Sequence, residues 1–254
     1  MDSIFSTGKR IVIVEDEEIV TMSLEETLSS VGYEIVEVFS SGEEALSAIP
    51  DLHPDLVLMD IRLDGSIDGV EAARHLLSGH DIPVVYLTAY SGDELMRRVL
   101  HTAPYGYIIK PYRDRELFCA IEVALARHRL ERALRESEQR YRALFRNASD
   151  IIFLNMDGGD GRPGPFIEAN DAALDKLGYT KDELVALSLH DIYDENCHDD
   201  VERMLRELQE MDEATVELII VAKSGRKRLV EVNAHRFPIN DGVVVLSICR
   251  DIDL

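Results

Sequence analysis

Leu56-Val57-Leu58-Met59-Asp60 decides how the first half of the chain is read. Four consecutive apolar residues leave no polar face, so the run suits a strand covered on both sides rather than one half open to water. It ends on a carboxylate, where the chain must leave the sheet. Residues 11–14, 33–39, 84–87 and 107–109 are comparable runs. The segments that follow the five runs in turn (18–30, 42–49, 69–77, 93–100 and a long stretch from Arg115) carry apolar residues at helical intervals. Five such units predict an α/β domain with a parallel sheet between layers of helices.

In a sheet of this kind the functional crevice lies outside the carboxyl ends of the strands. Glu15 and Asp16 follow the first run, Asp60 closes the third, Thr88 follows the fourth, and Lys110 with Pro111 follows the fifth. Carboxylates gathered at one edge repel each other, and a bound cation offsets the cost. A hard ion such as Mg²⁺ suits an all-oxygen donor set. A carboxylate is also a nucleophile for phosphoryl groups, and a lysine and a hydroxyl stabilise charge on the transferred oxygens.

Composition bounds the rest. A length of 254 residues favours two domains. Hydrophobic residues make up 46% and charged residues 30%, and no apolar run approaches the roughly 20 residues of a membrane helix. The N-terminal residues lack the basic, apolar and small-residue order of a secretory signal, so a cytoplasmic location is expected. Cys119, Cys197 and Cys249 are dispersed, with neither a zinc spacing nor a disulfide framework. The formal charge of −22 repels phosphate backbones, so DNA is not expected as a partner, and the lack of a long apolar run argues the same for a membrane.

The segments IVIVEDEE (11–18), DLVLMDI (55–61), VVYLTAY (84–90) and YGYIIKPY (105–112) resemble the four signature segments of response-regulator receiver domains, across about residues 9 to 127. The resemblance implies a five-stranded parallel (βα)5 flavodoxin-like fold and a phosphoryl group accepted on Asp60. It also implies Mg²⁺ held by Glu15, Asp16, Asp60 and the backbone carbonyl of Arg62, and phosphoryl oxygens contacted by Thr88 and Lys110. Thr88 and Tyr107 would act as the switch. The chain departs from the common pattern after Asp60: Ile61-Arg62-Leu63-Asp64-Gly65-Ser66-Ile67-Asp68-Gly69 is a longer loop without the usual proline. It is expected to be flexible, with Arg62 and Tyr90 flanking the site, which leaves the lifetime of the phosphoryl group open.

Residues 115–146 read as one long helix without internal Gly or Pro. Leu130, Leu134, Ser137, Tyr141 and Leu144 form a short heptad seam. Seven arginines against three glutamates in its second part give a local charge of +4, read as a solvated face flanking a homodimer seam. The expected domains are 1–127, a helical linker at 128–146, and 147–254.

Beyond Asp150 the order changes to a strand at 151–155, a Gly/Pro loop at 158–165, short helices to about Glu210, and three strand-like runs at 215–222, 227–236 and 243–250. Lys223-Ser224-Gly225 and Asn240-Asp241-Gly242 are turn signals between them. SEQRYRALFRNASDIIFLNMDG, FIEANDAALDKLGYTKDELVALSLHDIY and VVVLSICRDI resemble PAS sensor domains. That resemblance implies an α+β domain with a five-stranded antiparallel sheet, in which Asn170 caps or pins the helix beginning near Asp171. Asn196-Cys197-His198-Asp199 lacks the cysteine motif of flavin photoreceptors, and His190, His198 and His235 are isolated candidates for haem ligation. No cofactor is assigned, and the PAS ligand stays open.

The expected function is a receiver–PAS signalling protein that takes a phosphoryl group from a partner histidine kinase and signals to a downstream protein, with dimerisation through the linker helix and the PAS domain. The chain as given is expected to lack kinase activity, because it carries no dimerisation-box histidine and no ATP-binding glycine motif, and to show no turnover beyond slow self-dephosphorylation. One alternative is the front part of a hybrid histidine kinase. An aspartyl-phosphate phosphatase is disfavoured because Arg62 stands where such enzymes carry a second aspartate.

Overall fold

Five short parallel strands form the first sheet: β1 (Arg10–Val14), β2 (Glu34–Phe39), β3 (Leu56–Asp60), β4 (Val84–Thr88) and β5 (Gly106–Ile109), in the order β2-β1-β3-β4-β5. The computed structural model describes residues 8–89, 93–159, 163–240 and 242–252. Between the strands run α1 (Glu18–Ser30), α2 (Gly42–Leu52), α3 (Gly69–Gly79) and α4 (Asp93–His101), and α5 (Asp114–Asn147) follows β5. This is the expected (βα)5 arrangement.

Side-chain alternation divides each central strand between two cores. Ile11, Ile13, Leu56, Leu58, Val85 and Leu87 pack with Leu24 and Leu28 of α1 and with Leu117 and Ile121 of α5. Val12, Val14, Val57, Met59, Val84 and Tyr86 pack on the other face with Ala45 and Ile49 of α2 and with Val70, Ala73 and Leu76 of α3. Burial of each large aliphatic side chain is worth about 1.5–3 kcal/mol. Because both faces are covered, the strands read as unbroken apolar runs.

The second sheet is antiparallel, with β6 (Ile151–Asp157), β7 (Pro163–Ala169), β8 (Glu213–Val221), β9 (Lys227–Ile239) and β10 (Gly242–Asp251) in the order β7-β6-β10-β9-β8. The helices α6 (Asp171–Leu177), α7 (Lys181–Val185), α8 (Leu189–Ile192) and α9 (His198–Met211) contribute Leu177, Leu184, Ile192, Met204 and Leu208 to one core with Phe153, Val216, Leu218, Val232 and Cys249. The residues at 158–165 were expected to be loop, but β7 begins at Pro163. The strand lies at the sheet edge, where proline is tolerated. Gly164 sits so close to β6 that a Cβ would stand 2.6 Å from the Met156 carbonyl oxygen. Glycine and proline here mark an edge strand, and β6 and β7 pair as a hairpin.

The chain divides into two compact units, Met1–Arg135 and Glu136–Leu254. Within the first, α5 is tied down by Arg135 to Asp81 at 2.8 Å, by His128 to the same carboxylate at 3.1 Å, and by the Tyr105 hydroxyl donating to Glu131 at 2.9 Å. Within the second, Arg146 pairs with Asp171 at 3.1 Å. Part of the arginine-rich face is therefore used inside the chain. No described helix is long and apolar enough to cross a membrane.

Candidate functional site

The carboxyl ends of β1, β3, β4 and β5 bring Glu15, Asp16, Asp60, Thr88 and Lys110 to one edge of the parallel sheet. Carboxylate oxygens of Glu15, Asp16 and Asp60 lie within 4.8 Å of one another. Glu15 and Asp60 are 2% and 6% exposed, an unusual degree of burial for acidic groups, and Thr88 is 2% exposed. The Lys110 ammonium donates to Glu15 Oε2 at 2.6 Å and to Asp60 Oδ2, so one cation bridges two carboxylates. Burial pushes the Glu15 carboxyl up to about 7; Lys110 opposes this and the Asp60 charge reinforces it. Burial works against the Lys110 ammonium, yet its hydrogen bonds to Asp60 and Glu15 hold its pKa above the ordinary value.

The backbone completes the site. The Arg62 N–H donates to Asp60 Oδ1 at 3.0 Å, and the Lys110 N–H donates to the Thr88 carbonyl at 2.7 Å. A second donor, the Glu17 N–H, reaches Glu15 Oε1 at 3.4 Å. An all-oxygen, partly buried carboxylate cluster fits a hard divalent cation. Glu15, Asp16 and Asp60 are the side chains that would hold it, and the Arg62 carbonyl stands in the turn directly after Asp60. Tyr107 lies on β5 and is 45% exposed. Tyr90, expected to flank the site, falls outside the described residues, as does Asp241 of the last turn.

Residues 61–68 are not loose, contrary to the expectation from their length. Glu43 on α2 accepts from the Ser66 and Ile67 N–H groups at 2.6 and 3.2 Å and from the Ser66 hydroxyl. Asp68 caps α3 through the Glu71 N–H at 2.9 Å and pairs with Arg98 at 2.6 Å. Glu43, Arg98 and Gly69 escaped the sequence reading because their partners are distant in the chain. The Gly65-Ser66 turn and the Asp68 cap three residues before Glu71 are the local signals.

In the second unit, Asn170 is fully buried and does more than cap. Its Oδ1 accepts from Ala173 and Ile152 N–H groups, both at 3.0 Å, and its Nδ2 donates to the carbonyls of Asp150 at 2.8 Å and Ala148 at 3.3 Å. It therefore pins the start of β6 to the start of α6. His190, His198 and His235 are exposed, whereas Cys197 and Cys249 are buried.

Comparison with known proteins agrees with both halves. Residues 11–122 match the response regulator receiver domain family and residues 149–253 match the PAS domain family. The transcriptional regulatory protein PdtaR of Mycobacterium tuberculosis is 38% identical over 129 residues, which are 50% of this chain and 62% of that protein. The chain thus spans less than two thirds of that relative. Among solved structures, the signal receiver domain of a modulated diguanylate cyclase from Desulfovibrio desulfuricans G20 is 38% identical, with 49% of this chain and 98% of that one covered and a TM-score of 0.47. The PAS domain of an HTR-like protein from Haloarcula marismortui is 28% identical, with 49% and 98% covered and a TM-score of 0.42. With the parallel and antiparallel sheets in the corresponding halves, the chain is a response regulator receiver domain followed by a PAS domain.

Proposed function

We propose that this chain is a phospho-acceptor of two-component signalling, in which Asp60 takes a phosphoryl group from the phosphohistidine of a partner kinase. The observation that carries this reading is the Lys110 ammonium bridging Glu15 and Asp60 beside a third carboxylate, Asp16. In the transfer, a carboxylate oxygen of Asp60 bonds to phosphorus as the P–N bond to the donor imidazole breaks, and the imidazole keeps its electron pair. Lys110 neutralises charge on the transferred oxygens and Thr88 offers them a hydroxyl. A Mg²⁺ ion held by Glu15, Asp16, Asp60 and the Arg62 carbonyl supplies further charge neutralisation when bound. Thr88 and Tyr107 carry the change of state away from Asp60.

The output passes along α5 to the PAS unit and on to a protein partner. Leu130, Leu134, Tyr141 and Leu144 are 73%, 62%, 51% and 69% exposed, and this spacing supports a homodimer seam on that helix.

Incubation of the full chain with a small phosphodonor and Mg²⁺, followed by intact mass measurement, tests the assignment. The parent is expected to gain one phosphoryl mass and Asp60→Asn none. Equal gain by both would remove Asp60 from its role.

A further inference from the structure

Glu43 stands in the first turn of α2, behind the N-cap Ser41, and outside the acidic cluster described above. Its Oε1 is the acceptor for three donors on the loop after Asp60: the Ser66 N–H at 2.6 Å, the Ile67 N–H at 3.2 Å, and the Ser66 hydroxyl. These backbone groups belong to no strand or helix, so the carboxylate supplies the partner that a ladder would otherwise give. Gly65 lies against the same carboxylate with φ +130°, and a Cβ there would stand 2.5 Å from Glu43 Oε2. Gly42 makes the matching approach from the helix side, where a Cβ would stand 2.9 Å from Ile67 Cγ1. Ser41 and Asp64 also form an isolated parallel bridge.

The loop is closed at its other end as well. The Gly69 N–H donates to the Ile61 carbonyl at 3.0 Å, so the residues leaving Asp60 are joined to the residue that begins α3. Between these two ties the backbone passes Arg62, whose N–H already holds Asp60 Oδ1. With its tip fastened, the loop has little freedom to carry the 61–62 backbone away from Asp60. With the tip free, Ile61 keeps its N–H bond to the Leu87 carbonyl at 3.2 Å and its bond to Gly69, and the Ser41–Asp64 bridge and the Asp68 contacts remain, but the backbone from Arg62 onward loses its tie to Glu43.

We propose that Glu43 is a positioning residue for the phospho-acceptor site: its carboxylate latches the tip of the 61–68 loop to α2 and so fixes the backbone of Ile61 and Arg62 beside Asp60. This inference rests on the Asp60 reading above. Glu43 touches neither a phosphoryl group nor a metal. It acts through the loop, as groups do that orient metal ligands from one layer further out. The three donors hold the Glu43 carboxyl down to about 2, so the latch is charged at neutral and mildly acidic pH.

The test uses the full chain and three variants: Glu43→Ala, Glu43→Gln and Gly65→Ala, the last crowding the carboxylate with a Cβ. Mg²⁺ binding by calorimetry, the half-life of the phosphorylated chain by intact mass, amide exchange at residues 64–68 and the thermal midpoint are measured on each. Glu43→Ala and Gly65→Ala are expected to weaken Mg²⁺ binding about tenfold, to shorten the phosphoryl half-life and to expose the loop amides. Glu43→Gln keeps an acceptor oxygen and is expected to stay within about threefold of the parent. Parent-like Mg²⁺ affinity in Glu43→Ala and Gly65→Ala, alongside faster loop exchange or a lower thermal midpoint, would overturn the positioning role and leave a structural tie. If the parent takes no phosphoryl group at Asp60, the reading of the site fails by itself, and the Mg²⁺ affinities still judge the latch.

Discussion

Gly69 lies directly against the backbone of Asp60: a Cβ built on it would stand 1.8 Å from the Asp60 carbonyl oxygen and 2.8 Å from its carbonyl carbon. The beginning of α3 is thus packed onto the residue that the proposed chemistry uses. Gly69→Ala must displace either the helix start or Asp60. It is expected to cost the receiver unit about 2–3 kcal/mol and to abolish phosphoryl gain, read by urea unfolding and intact mass. An alanine variant as stable and as readily phosphorylated as the parent would show that the contact is not tight.

Lys110 is the cation between Glu15 and Asp60, with its side chain 15% exposed. Lys110→Met leaves two buried carboxylates facing each other without a counter-charge. The expected loss is about 2–4 kcal/mol in metal-free buffer, part of it restored by Mg²⁺, and urea midpoints with and without MgCl2 measure both. A variant indifferent to Mg²⁺ would argue against cation binding at this cluster.

The latch at Glu43 has a defined pH dependence. A carboxyl whose folded-state pKa is lowered from 4.5 to about 2 contributes stability that is present above its ordinary pKa and is lost as pH falls toward the folded value. Protection of the Ser66 and Ile67 amides, corrected for intrinsic exchange, should be flat from about pH 5 to 8 and should fall in the acid range between about 4.5 and 2. A fall near neutral pH would assign the protection to another group.

Asn170 satisfies two backbone donors and two carbonyls from within the core. Asn170→Ala removes a helix cap and leaves buried groups unpaired, for an expected loss of about 3 kcal/mol in the PAS unit. Asn170→Asp keeps the acceptor but not the donor and should fall between. Denaturant unfolding of the two variants ranks them, and the reverse order would contradict this division of roles.

The seam on α5 predicts self-association. Light scattering should find the full chain dimeric at micromolar concentration, with Leu130→Asp/Leu134→Asp shifted to monomer, because two charges on a heptad face cannot be buried cheaply. A monomeric parent would reduce the seam to an exposed helix face.

The sequence alone shows which residues form strands in the first half, because a strand buried on both faces must be apolar along its length, as Leu56 to Met59 are. It also placed Glu15, Asp16, Asp60, Thr88 and Lys110 at the sheet edge, because each stands at the end of such a run. It left β7 hidden among glycines and prolines, since only an edge position and the close approach of Gly164 to Met156 explain them. Tertiary structure alone decided how the edge is held together. The Lys110 bridge to Glu15 spans 95 positions, and the Glu43 bond to Ser66 spans 23. No local pattern encodes such pairs, because the carboxylates and their donors meet only when the strands and helices have packed.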